Sequence, residues 1–372
     1  MAHFLGGAVL ALLIAQSVNA RACSSDPPPE SPPPANVSGV FTTRDGVRFR
    51  VETIVTGLEI PWSMAFAPDG RLFVTERPGR VRIVDMTSFS AGLALTLQDV
   101  FAQGEAGLLG LALDPGFQQN RFVYLYYTAA AGGGAVNRVV RYREVSGQLG
   151  ERVVLLDGIP AATIHDGGRL KFGPDGLLYA TAGDANNTSL AQDVASLAGK
   201  FLRITPGGSS APGNRFSSPV FTFGHRNPQG FDWHPVSGAI WASEHGPTGT
   251  DEINVIQPGL NYGWPDIQGS ATRAGMETPV VFFSPAIAPS GAAFYRGQRF
   301  PQFTNNLFVA TLRGAHLLRL TINAGSRQVS AQERLLDGEF GRLRDVVTGP
   351  DGYLYLCTNT GDDRILRLVP AS

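Results

Sequence analysis

Residues 165–184, HDGGRLKFGPDGLLYATAGD, decide the fold. This stretch contains a polar loop with His165, a short apolar strand, a Pro-Asp-Gly turn, a second strand and then Asp184. The Pro-Asp-Gly sequence is typical of a tight turn between two antiparallel strands. In such a hairpin, the loop before the first strand and the loop after the second strand lie at the same end. The sequence therefore predicts that His165 and Asp184 are neighbours in space, although they are nineteen positions apart.

Similar turn-and-strand units recur along the chain. They are APDGRLFVTE (67–76), LDPGFQQNRFVYLYYT (113–128), GPDGLLYATAGD (173–184), HPVSGAIWASEHG (234–246), FPQFTNNLFVATLRG (300–314) and GPDGYLYLCTNTG (349–361). Each unit follows a loop with a short apolar strand and precedes a third and a fourth strand. This pattern predicts an all-β fold, a six-bladed β-propeller of four-stranded blades. A β-sandwich with a second domain is the alternative, but it does not produce six matching units.

The phase of the repeats predicts how the ring closes. The chain has a strand of the fourth type at residues 47–57, VRFRVETIVTG, and ends on a strand of the third type at residues 363–369, DRILRLV. The N-terminal strand is therefore expected to complete the last blade, which removes the free sheet edge. We assign residues 46–372 to this propeller as one catalytic domain.

The N-terminal region is expected to lie outside the ring. Residues 1–20 contain an apolar run that ends in small residues, which is typical of a secretory signal peptide and too short for a membrane-spanning helix. Residues 21–45 form a Pro-rich, flexible linker. Cys23 is a candidate for a lipid anchor, whereas Cys357 lies in a predicted buried strand. These features predict a periplasmic or secreted protein, or one that is tethered to the membrane as a lipoprotein.

Composition and missing motifs exclude several other classes of protein. The 372 residues include 45 Gly and 26 Pro, as expected for a turn-rich β protein, and the formal net charge is −1. This charge balance gives no reason to expect nucleic acid as a partner. The sequence has no GxSxG, HExxH, Walker or Rossmann motif. A monomer and a homodimer are both compatible with it.

Unusual polar residues occur at one phase of the repeat, in the loops that enter the first strand or leave the second. They are Glu105, His165, Asp184, Arg226, Asn227, Glu244, His245, Arg313, Arg342 and Arg344. In a propeller these loops share one mouth of the central channel. Four converging arginines need an anion between them, and their forked donors suit carboxylates or phosphates. For any single arginine a neighbouring acid is an equal explanation, as Asp345 is for Arg344.

His165 is a candidate general base. Asp184 could hold one ring nitrogen and leave the other free to accept a proton. His225 and His245 are rival candidates, although their neighbours favour a role in framing a ligand.

A calcium site is a further hypothesis. Gly246 and Pro247 form a tight loop that exposes backbone carbonyls, and Asp251 and Glu252 follow it closely. Carbonyl and carboxylate oxygens are the ligands that calcium prefers.

A set of ordered motifs carries a family resemblance. The motifs GEAGLLGLALDPGF, IHDGGRLKFGPDGLLYATAGD, GHRNPQG, SEHGPTGTDEIN, NYGWP, IAPSG and GRLRDV resemble those of the soluble pyrroloquinoline-quinone (PQQ)-dependent aldose sugar dehydrogenases, in the glucose/sorbosone dehydrogenase family. The resemblance covers about residues 50–370. It implies a quinoprotein oxidoreductase with PQQ and Ca²⁺ as cofactors, which oxidises aldose sugars at C1 to lactones and passes the electrons to an external acceptor.

The resemblance also implies roles for individual residues. His165 would take the proton from the C1 hydroxyl, Asp184 would orient it, and hydride would pass from C1 to the quinone. The implied cofactor contacts are Glu105, Arg226, Asn227, His245, Leu312, Arg313, Arg342 and Arg344, with Arg226 near the reacting carbonyl. The last three arginines would hold the PQQ carboxylates. Gly246 and Pro247 would bind calcium through their carbonyls, and Glu252 and Tyr262 would bind a calcium as well.

Four positions depart from the glucose-specialised members of that family. Glu105 and His245 stand where those members have glutamine, Ala286 where they have threonine, and Arg313 where they have lysine. The departures favour the broader aldose branch.

Two other functions are kept as alternatives. A non-catalytic sugar- or protein-binding propeller would be expected to lack the base or the arginines. A calcium-dependent lactonase would need carboxylates and asparagines around a central metal, where this chain has arginines.

Overall fold

The computed structural model describes Met1 and residues 39–371, apart from Thr248, Ala324 and Ser326. The described residues form six antiparallel sheets. The chain begins with β1 (Phe41–Thr42) and β2 (Arg48–Leu58). Blade 1 contains β3 (Pro61–Phe66), β4 (Leu72–Glu76), β5 (Arg80–Val84) and β6 (Ala91–Thr96), and blade 2 contains β7 (Leu108–Leu113), β8 (Phe122–Ala131), β9 (Gly134–Val145) and β10 (Gln148–Pro160).

The remaining blades repeat this order. Blade 3 contains β11 (Leu170–Phe172), β12 (Leu178–Ala182), β13 (Lys200–Ile204) and β14 (Val220–Phe223); blade 4 contains β15 (Pro228–Trp233), β16 (Ile240–Glu244), β17 (Asp251–Ile256) and β18 (Val281–Phe283). Blade 5 contains β19 (Pro289–Phe294), β20 (Leu307–Thr311), β21 (Leu317–Asn323) and β22 (Gln328–Leu335), and blade 6 contains β23 (Leu343–Thr348), β24 (Leu354–Thr358) and β25 (Asp363–Pro370). Two short helices, α1 (Phe117–Asn120) and α2 (Ser189–Gln192), and a 3₁₀ turn, Pro301–Phe303, lie in the connections.

The first strands of the blades surround a common axis. Strand β3 contacts β7, β7 contacts β11, β15 contacts β19, β19 contacts β23, and β23 returns to β3. Hydrophobic clusters fill the spaces between neighbouring blades. The predicted six-bladed propeller is confirmed.

The ring closes as the phase of the repeats predicts. Strand β2 pairs antiparallel with β25 in blade 6, with Val51 opposite Leu368. Strand β1 pairs antiparallel with β2 and so extends this blade. The Phe41 ring stacks on Phe49 with 5.5 Å between ring centroids. The residues of β1 lie within the range 21–45 that was predicted to be linker, so the last part of that range belongs to the sheet.

The Pro-Asp-Gly turns share one geometry. Gly70, Gly176 and Gly352 have φ values of +87°, +74° and +82°, which are in the left-handed region that glycine adopts without strain. Each donates its N–H to the carbonyl three residues earlier, at 2.9, 2.9 and 3.0 Å. The same tight turn therefore joins the first and second strands of blades 1, 3 and 6 and sets their register.

The predictions for the N-terminal region lie mostly outside the described residues. These are the signal peptide at residues 1–20, the linker up to residue 38 and the lipid anchor at Cys23. Cys357 is fully buried between blades 6 and 1, as predicted, and burial raises the pKa of its thiol well above the usual range. Within the described residues, no helix has the length and apolar character to cross a membrane.

Candidate active site

A cavity of about 220 Å³ opens at the end of the ring where loops enter the first strands. It is lined by Glu105, His165, Arg226, His245, Gly246, Pro247, Asp251, Ala286, Ala288 and Arg313. Loops of blades 2 to 5 supply these residues. Five of the ten polar residues that the sequence places at one mouth of the channel therefore line this cavity: Glu105, His165, Arg226, His245 and Arg313.

His165 is hydrogen-bonded to a fully buried carboxylate. Its Nδ1 lies 2.8 Å from Oδ1 of Asp184, and Trp264 donates its Nε1–H to the other oxygen at 2.9 Å. Because a carboxylate only accepts, Nδ1 carries the ring proton and Nε2 keeps its lone pair. No described residue forms a hydrogen bond with Nε2. This nitrogen can therefore accept a proton from a molecule in the cavity.

The backbone of His165 has an unusual conformation. Its φ is +64°, in the left-handed region that residues with a side chain rarely adopt. A Cβ at Gly183 would lie 1.9 Å from the His165 carbonyl oxygen, so only glycine permits this close approach. The His165 N–H donates to Glu105 and its carbonyl accepts from the Ala185 N–H, both at 3.2 Å. Loops of two blades thus fix the candidate base.

Glu105 places a carboxylate in the wall of the cavity. Its Oε2 accepts hydrogen bonds from the His165 N–H and from Asn227 Nδ2, both at 3.2 Å. Burial would raise the pKa of Glu105, but the nearby His245, the His165 N–H and Arg344 hold it below its usual value. Burial lowers the pKa of His245, and its Nε2 has no partner among the described groups. A carboxylate and an imidazole nitrogen without a described partner therefore lie beside the candidate base.

Arg344 is a buried cation without a carboxylate partner in the described part of the chain. It donates to the side-chain oxygens of Gln229 at 2.8 Å and Asn359 at 2.9 Å, while its Nε has no partner there. Asp345, the acid next in sequence, is paired with Arg169 at 3.1 Å instead. Burial lowers the pKa of Arg344 to about 9. The charge of this guanidinium is thus not neutralised by a described carboxylate.

Two further arginines add positive charge here. Arg313 lines the cavity, and Arg342 is close to Arg344. Arg342 and Arg313 are exposed, and neither forms a side-chain hydrogen bond or ion pair with another described residue. The charge of Arg342 contributes to the lowered pKa of Arg344, so the two groups are close. Leu312, which was predicted with them, is buried, and its N–H donates to the Ala288 carbonyl at 2.9 Å.

Arg226 borders the cavity from blade 4. Its Nη1 donates to the His245 carbonyl at 3.2 Å, and its guanidinium lies 5.4 Å from the centre of the Trp264 ring. Burial lowers its pKa, although the charges of Asp184 and Glu244 oppose this shift. Arg226 and His165 are thus connected through the neighbours Trp264 and Asp184.

Asp251 holds two cavity loops together. Its Oδ1 accepts from the Gly246 N–H at 3.0 Å, and its Oδ2 accepts from the N–H groups of Ile287 and Ala288 at 2.7 and 2.6 Å. The carboxylate is buried. It therefore positions the Gly246-Pro247 loop of blade 4 against the loop that enters blade 5.

Comparison with known proteins assigns the chain to a family. Residues 58–367 match the glucose/sorbosone dehydrogenase family. The chain belongs to this family. The aldose sugar dehydrogenase YliI of Escherichia coli K12 is 35% identical over 351 residues, which cover 86% of this chain and 92% of that protein.

Solved structures of family members have the same fold. The PQQ-bound aldose sugar dehydrogenase of Streptomyces coelicolor is 38% identical with a TM-score of 0.79, covering 91% of this chain and 99% of that one. An oxidoreductase of Thermus thermophilus, described as a glucose dehydrogenase, is 46% identical with a TM-score of 0.79, covering 86% of this chain and 100% of that one. The expected membership of a family of sugar oxidoreductases is confirmed.

The residues predicted to bind calcium lie at two places. At the cavity, the Gly246 carbonyl accepts none of the described hydrogen bonds, whereas the Pro247 carbonyl accepts the Thr250 N–H at 3.1 Å. Away from the cavity, Glu252 is buried and its Oε1 accepts the Gly269 N–H at 2.9 Å. Burial raises the pKa of Glu252 to about 7, and the charge of the nearby Glu244 adds to the shift.

Tyr262 is buried in the hydrophobic cluster between blades 3 and 4 and does not line the cavity. Its hydroxyl donates to the Val255 carbonyl at 2.7 Å, and its ring stacks on His225 with 4.7 Å between centroids. Among the described residues no three His, Cys, Asp or Glu side chains form a metal-binding group. The two residues that were predicted to bind calcium at the cavity, Gly246 and Pro247, would offer backbone carbonyl oxygens.

His225, one of the rival candidates, is a structural residue. It is fully buried, with Nδ1 2.9 Å from Oε2 of Glu244 and Nε2 2.8 Å from Oγ1 of Thr222. Both ring nitrogens are occupied, so His225 has no lone pair to offer to a ligand.

Two residues of the mouth make contacts that the sequence does not predict. Trp264 lies in the NYGWP motif, and its bond to Asp184 joins residues eighty positions apart. The sequence predicts Asp251 only as a possible calcium ligand, whereas its carboxylate accepts three backbone N–H groups of two loops. An acid four residues after a Gly-Pro pair is the signal that points to Asp251, whereas no local pattern reveals the partner of Trp264.

Proposed function

We propose that the protein oxidises aldose sugars at C1 to lactones, with PQQ as cofactor and an external acceptor for the electrons. The observation that carries the proposal is the His165–Asp184 pair, which leaves a free ring nitrogen at the cavity. The charge of the buried Arg344, which has no described carboxylate partner, acts on Glu105 in the wall of the same cavity. The pair supplies a base for a hydroxyl group, and Arg344 supplies an anion-binding group. Membership of the glucose/sorbosone dehydrogenase family supports both assignments.

In this proposal His165 moves the proton of the C1 hydroxyl. Nε2 accepts that proton while the electron pair of the C1–H bond leaves with the hydrogen as hydride. Asp184 stabilises the imidazolium that forms, because it accepts the Nδ1–H hydrogen bond in both protonation states. When bound, PQQ would supply the hydride acceptor. The Trp264 N–H keeps Asp184, and hence the imidazole, in one orientation.

The chain's arginines would hold the carboxylates of PQQ. Arg344 fits this role because its described partners are neutral, and Arg313 and Arg342 fit it because their guanidinium groups are unpaired in the described structure. Guanidinium forks bind carboxylates with two parallel hydrogen bonds. The other cofactor contacts would come from Glu105, Arg226, Asn227, His245 and Leu312, with Arg226 near the reacting carbonyl.

Calcium would be bound by the carbonyls of Gly246 and Pro247, and a further calcium by Glu252 and Tyr262. The free Gly246 carbonyl supports the first site, and the burial of Glu252 next to Glu244 supports a cation near the second. A bound divalent cation would polarise an oxygen of the cofactor.

The N-terminal region would direct the protein out of the cytoplasm. We propose a signal peptide at residues 1–20, a flexible tether after it and a periplasmic or secreted propeller, with a lipid anchor at Cys23 as a variant of the same scheme. The proposal rests on the sequence of this segment.

The two alternative functions fit the mouth less well. A binding propeller needs neither a base in a strained backbone conformation nor a carboxylate that fixes its tautomer. A calcium-dependent lactonase needs a central carboxylate cluster, and the described carboxylates of Asp251 and Asp345 are occupied by N–H groups and by Arg169.

Reconstitution tests the function. The purified apo-protein is mixed with PQQ, Ca²⁺ and a redox dye, and dye reduction is measured over a panel of aldoses. We expect saturable dye reduction that requires PQQ, and lactone as the product. Dye reduction that is absent with every aldose, in protein shown by absorbance to have bound PQQ, overturns the proposal.

Substitution of Arg344 tests its role as the group that binds the PQQ carboxylates. Arg344→Met should weaken PQQ binding by about tenfold or more, since a charged hydrogen bond is lost. Unchanged PQQ affinity in this variant would contradict the role of Arg344.

A further inference from the structure

A second cavity lies at the other end of the channel from His165. Its volume is about 640 Å³, and its wall includes the turns that join first and second strands, such as Gly173-Pro174 and His234-Pro235. Because each first strand runs from the His165 mouth to these turns, the cavity is at the distal end of the ring. A wider space of about 1060 Å³ adjoins it and shares Lys171, Asp232 and Arg296 with it.

Two of the cations in this distal cavity are neutralised. Arg296 donates from Nη1 and Nη2 to the two oxygens of Asp232, at 2.6 and 3.2 Å. Arg169 is paired with Asp345 at 3.1 Å. Each carboxylate of the cavity wall thus has its own guanidinium partner.

Lys171 is the cation that remains. Its Nζ donates to the Ala292 carbonyl at 2.9 Å, and the closest carboxylate oxygen, on Asp232, is 3.9 Å away. That carboxylate is already shared with Arg296. The distal cavity therefore has one positive charge in excess, carried by an ammonium group with donor capacity to spare.

Two buried donors of the cavity wall are also unsatisfied in the described structure. His234 is 1% exposed; its Nδ1 accepts from the N–H groups of Val236 and Ser237, so Nε2 carries the proton, yet Nε2 has no acceptor. Arg169 is also 1% exposed, and its Nη2 has no acceptor. A buried donor without a partner costs free energy that a bound acceptor would recover.

Most of the remaining wall is apolar. Met64, Leu111, Leu113, Phe172 and Trp233 line the same cavity. A ligand that fills it must therefore combine a hydrogen-bond acceptor of single negative charge with a carbon body. Inorganic phosphate lacks the carbon body, and a neutral sugar lacks the charge.

We propose that the distal cavity binds a small organic monocarboxylate, with its carboxylate at Lys171 and Arg169 and its carbon body against Trp233. Lys171 lies in β11 and Arg169 directly precedes this strand, and both residues line the distal cavity. The proposal does not depend on the oxidation chemistry at the opposite mouth.

Isothermal titration of the full chain with hexanoate tests the proposal. We expect saturable binding of one hexanoate per chain, with affinity at least tenfold above that for 1-hexanol or inorganic phosphate. Lys171→Met should weaken hexanoate binding by about tenfold or more, because a charged hydrogen bond is lost. Lys171→Arg should retain it, and His165→Ala, at the other mouth, should leave it unchanged.

Several outcomes overturn the proposal. Equal affinity for 1-hexanol would show an apolar site without a role for charge, and equal affinity for phosphate would show a general anion site. Loss of hexanoate binding in His165→Ala would place the ligand at the opposite mouth. If the wild type binds no hexanoate, the distal cavity is not a site for a monocarboxylate. Should Lys171→Met not fold, His234→Phe serves in its place, with an expected loss of about threefold from one neutral donor.

Discussion

Blades 3 and 4 each contain a histidine that is paired with a carboxylate nineteen positions later. The Nδ1-to-oxygen distances are 2.8 Å for His165–Asp184 and 2.9 Å for His225–Glu244. The two pairs differ at the second ring nitrogen. Nε2 of His225 is bonded to Thr222, whereas Nε2 of His165 has no described partner and faces a cavity. A histidine–carboxylate pair thus becomes a candidate acid–base pair only where its other nitrogen is left free.

The surroundings explain this difference. The ring of His225 lies between Tyr262 and Phe201, at 4.7 and 5.1 Å from their ring centroids, and fills part of the blade interior. His165 instead has a left-handed backbone that is fixed by Glu105 and by the close approach of Gly183. Backbone strain is thus found at the histidine of the cavity.

The largest expected effect comes from removing the free nitrogen. His165→Ala should lower kcat by about 10² or more, the scale of general-base catalysis, while PQQ affinity stays within a few-fold. Steady-state dye reduction and titration of the apo-protein with PQQ measure both quantities. Turnover within tenfold of the wild type would show that another group is the base.

The second effect concerns the carboxylate that sets the tautomer. Asp184→Asn replaces an acceptor by a group that can also donate, which allows the proton to move to Nε2 of His165. We expect kcat to fall by about 10² with KM changed less than threefold. Glu244→Gln is the matched control in blade 4 and should keep kcat within tenfold; equal losses in both variants would contradict the comparison.

The third prediction concerns the buried His225–Glu244 pair of blade 4. His225→Ala removes the partner of the buried Glu244 and opens a cavity beside Tyr262, which should lower the free energy of unfolding by about 2–4 kcal/mol. Turnover per folded, cofactor-loaded molecule should stay within tenfold. Chemical denaturation measures the free energy of unfolding, and steady-state dye reduction with active-site titration measures the turnover per loaded molecule. A large loss of kcat with unchanged stability would mean that His225 acts in the reaction.

The smallest effect is a pH dependence next to His165. Burial raises the pKa of Asp166 to about 7, although hydrogen bonds from Asn137 and the Ala162 N–H oppose the shift. A carboxyl group with a raised folded-state pKa stabilises the fold at acidic pH, and this contribution is lost as pH rises through about 7.

Asp166→Asn keeps the shape of the side chain without the charge. The melting temperature of the variant relative to the wild type should therefore rise between pH 5 and pH 8. Thermal unfolding of both proteins at several pH values measures this difference in melting temperature. A difference that stays constant with pH would show that Asp166 does not titrate in this range.

The fold follows from local sequence to a large extent. The Pro-Asp-Gly turns at Gly70, Gly176 and Gly352 repeat the same hydrogen bonds, and a hairpin places its two end loops together by geometry alone. This is why the proximity of His165 and Asp184, and the closure of the ring by β2, could be predicted.

The partners across blades could not be predicted in this way. Asp345 follows Arg344 in sequence but binds Arg169 of another blade, because adjacent residues of a strand point to opposite faces. Trp264 reaches Asp184 from a loop eighty positions away. Such contacts depend on how blades pack around the axis, and the sequence pattern within one blade contains no information about them.

A single-turnover experiment tests the central claim most directly. The PQQ- and calcium-loaded protein is mixed without a dye with an aldose that carries either hydrogen or deuterium at C1, and the absorbance of the bound cofactor is followed. The account predicts reduction of the cofactor in one turnover, slowed about twofold or more by deuterium, because the C1–H bond breaks in the step that His165 assists. Reduction with no isotope effect at any pH, or a cofactor that stays oxidised, would contradict the account.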